Sequence, residues 1–151
     1  MTSALTAAGL NVNTAMMDWY SAQIAQMKED KTNRSTPGMF TEYAAVPAAT
    51  RIAEVSADAV ASSGVNLDGY KDAAIVVIGR SGGEGADLYT GEFTDGTSYF
   101  ELQDSERELL KYVASQGFSK TIVLINSSNA MAMDWVNNPE YGVDACLWIG
   151  G

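Results

Sequence analysis

Three short apolar runs organise the second half of the chain: Ala74–Ile78, Thr121–Ile125 and Asp144–Ile149. They lack the polar alternation of a half-exposed strand, which predicts strands buried on both faces. Each run gives way to turn formers. A glycine-rich segment follows Ile78, Asn126-Ser127-Ser128-Asn129 follows Ile125, and Gly150-Gly151 follows Ile149. Between the first two runs, Leu109, Leu110, Tyr112 and Val113 fall on one helical face and predict a helix over 105–116. Ser105 and Glu108 read as its capping box, and Gly117 as its closing residue. Asn129 is expected to cap a short helix over 130–136.

The first half is less periodic. Residues 3–10 read as the last turns of a helix closed by Gly9. Asn13 or Thr14 starts a second helix running to about Met27 or Lys28. Glu29–Gly38 is polar and turn-rich, an exposed loop. Residues 43–47 are expected to be extended beside Pro47, and Ser56–Ser62 to form a short helix ended at Gly64. Leu67–Tyr70 reads as a turn packing a leucine and a tyrosine under the sheet. Leu88–Phe100 is irregular and long for a loop, a length often associated with function.

Apolar strands separated by helices predict a parallel sheet. The expected fold is a three-layer α/β/α sandwich, flavodoxin-like, as one domain over 1–151. In such a sheet the glycine segment, the Asn-Ser-Ser-Asn turn and the terminal glycines share the rim where α/β folds meet ligands. The chain opens at the end of a helix and stops at the end of a strand. It therefore reads as a piece truncated at both ends, and an unpaired sheet edge would favour pairing with a second copy as a homodimer.

Composition narrows the partners. A chain of 151 residues, 46% hydrophobic, suits a single core. Its net charge of −10 argues against nucleic acid and anionic membrane surfaces. No apolar run is long enough to span a bilayer, and no signal peptide opens the chain. Cys146 is the single cysteine, which excludes a disulfide within the chain and predicts a buried thiol. The absence of histidine removes any His-based triad and the commonest transition-metal ligand. No metal or cofactor is expected.

The candidate chemistry lies in the segment after Ile78, where Glu84 stands among Gly79, Gly82, Gly83 and Gly85. Three readings compete. A phosphate cradle would need G-x-G-x-x-G opening directly into a helix, or a GK[ST] sequence, and neither is present. A solvated glutamate in a flexible turn is the plainest alternative. The third reading is a carboxyl held on a loop that reaches into a cleft as a proton donor.

The segment IVVIGRSGGEGADL, the later INSSNAMAMDWV and the closing VDACLWIGG resemble the second α/β domain of family 3 glycoside hydrolases, the β-glucosidase type. Residues 1–72 match more loosely, through AAGLNVN and DWY. The resemblance implies that Glu84 is the general acid/base of an S-G-E-G type loop. It also implies that Arg80, Ser81 and Asp87 are sugar contacts or loop braces. Gly83 departs from the tighter loop spacing, and Leu88 stands where many members carry arginine. Asn126, Ser127 and Asn129 match the family's strand-end turn, but read more readily as a helix cap and turn.

In that family a separate domain, commonly a (β/α)8 barrel, supplies an aspartate nucleophile. The implied partners are that barrel domain and a β-linked glucoside or oligosaccharide. The chain alone, lacking the nucleophile, is expected to be inactive. The alternative from another class is a non-catalytic domain that binds carbohydrate or protein. Nucleotide binding would predict a thermal shift with NAD or ATP, and none is expected.

Overall fold

In the computed structural model, residues 2–29, 45, 51–52, 54–80 and 89–150 are described. Helix α1 spans Thr2–Ala7, α2 Thr14–Glu29, α3 Ala57–Ala61 and α4 Asp104–Ser115. Strands β1 (Ala74–Arg80), β2 (Thr121–Ser127) and β3 (Ala145–Trp148) form one sheet in the order β1-β2-β3. Both pairings are parallel, with Ala74 opposite Thr121 and Ile122 opposite Ala145. A 3-10 helix, Asp134–Asn137, lies between β2 and β3. The fold is α/β with a parallel sheet, as the pattern of apolar runs predicts.

Local signals hold at several helix ends. After α1, Gly9 takes φ +83°, and the Leu10 N–H closes the turn on the Leu5 carbonyl. Asn13 caps α2 by accepting the Met16 N–H through Oδ1. Ser56 caps α3 by accepting the Ala59 N–H.

The core lies on one face of the sheet. Val76 and Ile78 of β1 and Val123 and Ile125 of β2 alternate inward, against Leu109, Leu110 and Val113 of α4. Leu110 and Ile125 are completely buried. Each such side chain contributes about 1.5–3 kcal/mol over its exposed state. Met16, Trp19, Tyr20 and Met27 of α2 pack against the margin of this core.

Four expectations change. The strands are not covered on both faces by the described residues. Ile75 and Val77 are 38% and 36% exposed, and Leu147 is 51% exposed. On that same face Ile122 and Leu124 of β2 are half-buried. The capping box of α4 is formed by Gln103 and Glu106, not Ser105 and Glu108. The Gln103 N–H donates to Glu106 Oε2 at 2.8 Å, and the same carboxylate is drawn inward by Arg80. A long-range ion pair thereby selects the helix register.

Asn129 does not cap a helix. Ser127 Oγ accepts the Asn129 N–H and donates to the Asn129 carbonyl, closing a tight turn. The Ala132 N–H then donates to the Phe100 carbonyl, which leaves the helix to start at Asp134. Finally, the turn at Leu67–Tyr70 forms through the Tyr70 N–H, but both side chains are only half-buried and stand outside the core cluster. Residues 30–44, including most of the expected exposed loop, lie outside the described residues.

Candidate functional site

Strand β1 ends at Arg80, and the segment carrying Ser81, Glu84 and Asp87 begins immediately after it. Those three residues lie outside the described residues. The structure describes the chain on either side of the segment, and Arg80, immediately before it, is held firmly.

Arg80 is 5% exposed. Its guanidinium makes a two-pronged pair with Glu106, Nη1 to Oε1 at 2.5 Å and Nη2 to Oε2 at 2.8 Å. Nη1 also donates to the Gly79 carbonyl and Nη2 to the Glu101 carbonyl, each at 2.9 Å. Nε donates to the Tyr99 carbonyl at 3.1 Å. A guanidinium has five N–H donors, and all five therefore have acceptors within the chain. Of the two roles expected for Arg80, this geometry suits the brace and leaves no donor for a sugar hydroxyl.

Glu106 is 3% exposed and sits in the first turn of α4, where the helix dipole favours a negative charge. Gln103 adds two more ties, its Nε2 donating to the carbonyls of Ser98 and Glu101. The chain at Ser98–Glu101, returning toward α4, is thus tied to Arg80 at the end of β1 and to Gln103 at the start of α4.

A second arginine holds the same returning chain further out. Arg51 donates through Nη1 to Thr97 Oγ1 at 2.7 Å and pairs through Nη2 with Asp95 at 2.8 Å. Its guanidinium stands 3.6 Å above the Phe93 ring, a favourable cation–π arrangement. The Tyr99 hydroxyl donates to the Arg51 carbonyl. Hydrogen bonds from Thr97, and then from Arg51, hold the Asp95 carboxyl down at about 2.

Glu54 is the unusual carboxyl nearby. Burial, opposed by a hydrogen bond from the Val55 N–H and reinforced by the charge of Glu106, pushes its pKa up to about 7. Burial, and after it the charge of Glu54, raises the pKa of Tyr20. A carboxyl with a raised folded-state pKa keeps its proton after the unfolded chain has lost its own. Stability therefore falls as pH rises from about 4.5 to about 7 and levels off above. The span corresponds to a penalty on the order of 3 kcal/mol. Glu54→Gln should remove most of it. Urea unfolding of the 151-residue chain should show the variant more stable than the parent at pH 8 and similar at pH 4.5.

A cleft of about 230 Å³ opens between Glu101–Leu102, Arg107 of α4, and the 3-10 helix with Tyr141. Its rim is charged, with Glu101, Arg107 and Asp134. Asn126 is exposed, Ser127 is completely buried and Asn129 is half-buried. Ser127 and Asn129 build the strand-end turn described above. Cys146 is half-buried, and burial raises its thiol pKa. Among the described residues, no group of three or more His, Cys, Asp or Glu side chains is placed to hold a metal ion. No described helix is long and apolar enough to cross a membrane.

Sequence reasoning passed over Glu106 and Arg51. The Q-x-x-E spacing of Gln103 and Glu106 was a usable signal for the first. Nothing in the local sequence marks Arg51, whose partners lie more than forty positions away.

Over residues 2–151 the chain matches the glycosyl hydrolase family 3 C-terminal domain. No curated protein matches it significantly. Among solved structures, it is similar to a β-glucosidase from Paenibacillus barengoltzii, with 26% sequence identity and a TM-score of 0.56. The similarity covers 89% of this chain and 13% of that one, so the chain spans a small part of that enzyme's length. The chain belongs to glycosyl hydrolase family 3, within that family's C-terminal domain.

Proposed function

We propose that this chain is the acid/base-bearing part of a retaining β-glucosidase-like hydrolase that cleaves terminal β-glycosidic bonds. Glu84 is the general acid/base, and a separate barrel domain supplies the nucleophilic carboxylate. The observation that supports this reading is positional. The Glu84 segment leaves from the carboxyl end of β1, where parallel α/β sheets meet their ligands, and its root is fixed by Arg80 and Glu106.

In a retaining mechanism two carboxyl groups stand roughly 5–5.5 Å apart. The nucleophile attacks the anomeric carbon as Glu84 passes its proton to the leaving oxygen. Glu84 then takes a proton from water, which attacks the glycosyl-enzyme and restores both carboxyl groups. The neighbouring nucleophile and partial burial would raise the pKa of Glu84 in the assembled enzyme, as an acid role requires. Arg80 is a brace in this scheme, while Ser81 and Asp87 are candidate sugar contacts.

The test compares two proteins on an aryl β-glucoside, with product configuration followed by NMR. The full-length enzyme is expected to hydrolyse it and release the β-anomer first. The 151-residue chain is expected to show no turnover. Turnover by the chain alone, or release of the α-anomer by the full-length enzyme, overturns the proposal. A full-length protein that binds the sugar without hydrolysing it would make this a binding domain instead.

A further inference from the structure

We propose that the cleft between the start of α4 and the 3-10 helix is a binding subsite for one pyranose ring of a neutral sugar. The choice of a glucoside as its occupant rests on the function proposed above, whereas the chemistry of the cleft stands by itself. Arg107 gives the first observation. It follows Glu106 in α4, but where Glu106 turns inward to Arg80, Arg107 lines the cleft. Its nearest carboxylate oxygens, on Glu101 and Asp104, stand at 3.9 Å, beyond hydrogen-bond reach. Arg80 has every donor filled, and Arg107 has none filled by the described residues.

Tyr141 gives the second. It is 6% exposed, yet its hydroxyl bonds to no described residue. Among the described residues, no fully buried side-chain polar atom lacks a partner. This hydroxyl therefore opens to solvent, and the opening its side chain lines is the cleft. The carboxylates of Glu101 and Asp134 likewise make no hydrogen bond within the described chain. Leu102 and Trp135, 2% and 7% exposed, add an apolar wall. The Trp135 indole N–H is already donated to the Ala132 carbonyl, so this residue offers the cleft only its ring.

The set selects a class of ligand. Two carboxylates and a net charge of −10 disfavour an anion. The Arg107 guanidinium disfavours a cation, and no group of three acidic, His or Cys side chains among the described residues could hold a metal ion. A neutral polyol suits both signs, because each hydroxyl donates to a carboxylate and accepts from a guanidinium or a phenol. The ring of a pyranose adds C–H surface for the apolar wall. At about 230 Å³ the cleft falls below the roughly 300–1,000 Å³ of sites for drug-sized ligands, which suits one sugar ring and not a longer oligosaccharide. Arg80 at the end of β1 meets Glu106, the neighbour of Arg107, so the cleft lies on the rim where parallel α/β sheets meet ligands.

The test is an NMR titration of the isotope-labelled 151-residue chain with methyl β-glucoside, followed at the Trp135 indole N–H. That signal should shift and saturate, with a Kd of about 1 mM for a ligand of this size. Arg107→Met should raise the Kd by about 10-fold or more, and Tyr141→Phe by about 5-fold. Neither substitution removes a side-chain hydrogen bond within the described chain, so both variants should keep the parent's fold. If the chain does not fold alone, the titration is made on the full-length enzyme with fluorinated tryptophan.

Shifts that grow without saturating, or that survive both substitutions, overturn the proposal. So does saturation by inorganic phosphate, which would make the cleft an anion site, or equal saturation by glycerol, which would make the ring irrelevant. Methyl β-galactoside and methyl β-xyloside are titrated alongside. Saturation by either in place of the glucoside upholds the cleft and counts against the β-glucosidase reading. A cleft that takes no sugar ends this proposal and leaves that reading to the product configuration.

Discussion

Glu84→Ala in the full-length enzyme should lower hydrolysis of unactivated β-glucosides by about 10²–10⁴, the usual size of general acid–base catalysis. The loss should depend on the leaving group. An alkyl or phenyl glucoside departs as a basic oxygen and needs the proton. A dinitrophenyl glucoside departs as a stable anion and should retain most of its kcat/KM. Its kcat should still fall, because breakdown of the glycosyl-enzyme needs Glu84 as base. Azide should restore that second step, since it attacks the anomeric carbon without losing a proton and displaces the enzyme carboxylate as β-glucosyl azide. Formation of that azide by the variant is the most specific readout. A wild-type rate on alkyl glucosides would remove Glu84 from the mechanism.

The second large effect is on stability. Arg80→Ala in the 151-residue chain should destabilise it by about 3–5 kcal/mol, the range for breaking a buried ion pair. The cause is what remains. Glu106, at 3% exposure, would lose its ion-pair partner and keep the Gln103 N–H, and the carbonyls of Tyr99 and Glu101 would lose a donor. For a chain of this length the loss corresponds to a fall in Tm of about 10 °C or more. Arg80→Met/Glu106→Leu should lose less than Arg80→Ala, because neither charge is left buried. Urea denaturation followed by tryptophan fluorescence measures all three proteins. A double variant weaker than the single would show that the hydrogen-bonded carbonyls, rather than the charges, dominate.

The fold was legible where the physics is local. Runs such as Ala74–Ile78 identified the strands, and Gly9 and Gly117 marked helix ends because their positive φ suits glycine. The parallel order followed from helices between strands. What sequence could not give was the outcome of competition between distant groups. Ser105 and Glu108 offered a plausible cap, yet Arg80 drew Glu106 inward and shifted the helix start. Asn129 offered another, but the Ser127 hydroxyl took its N–H.

Burial on both faces was read from the apolar composition of the strands, which records the surroundings a strand is suited to. The described helices cover only the face of Val76 and Val123. Arg80 illustrates the same limit at the site. The resemblance left Arg80 open between a sugar contact and a loop brace, because its partners Glu106, Tyr99 and Glu101 converge from another part of the chain.

The parallel register also bears on the order in which the molecule assembles. Partners across β1 and β2, such as Ala74 and Thr121, stand about twice as far apart along the chain as Ile122 and Ala145 across β2 and β3. Each doubling of a closed loop costs about 0.6 kcal/mol more chain entropy. Pairing of β2 with β3 is therefore the cheaper nucleus, and β1 joins at the greater cost. Arg80 and Glu106 are 26 positions apart, close to the spacing of Ile122 and Ala145, so the same cost argument lets their ion pair close as early. The tie at the root of the Glu84 segment therefore does not wait for β1 to dock on β2.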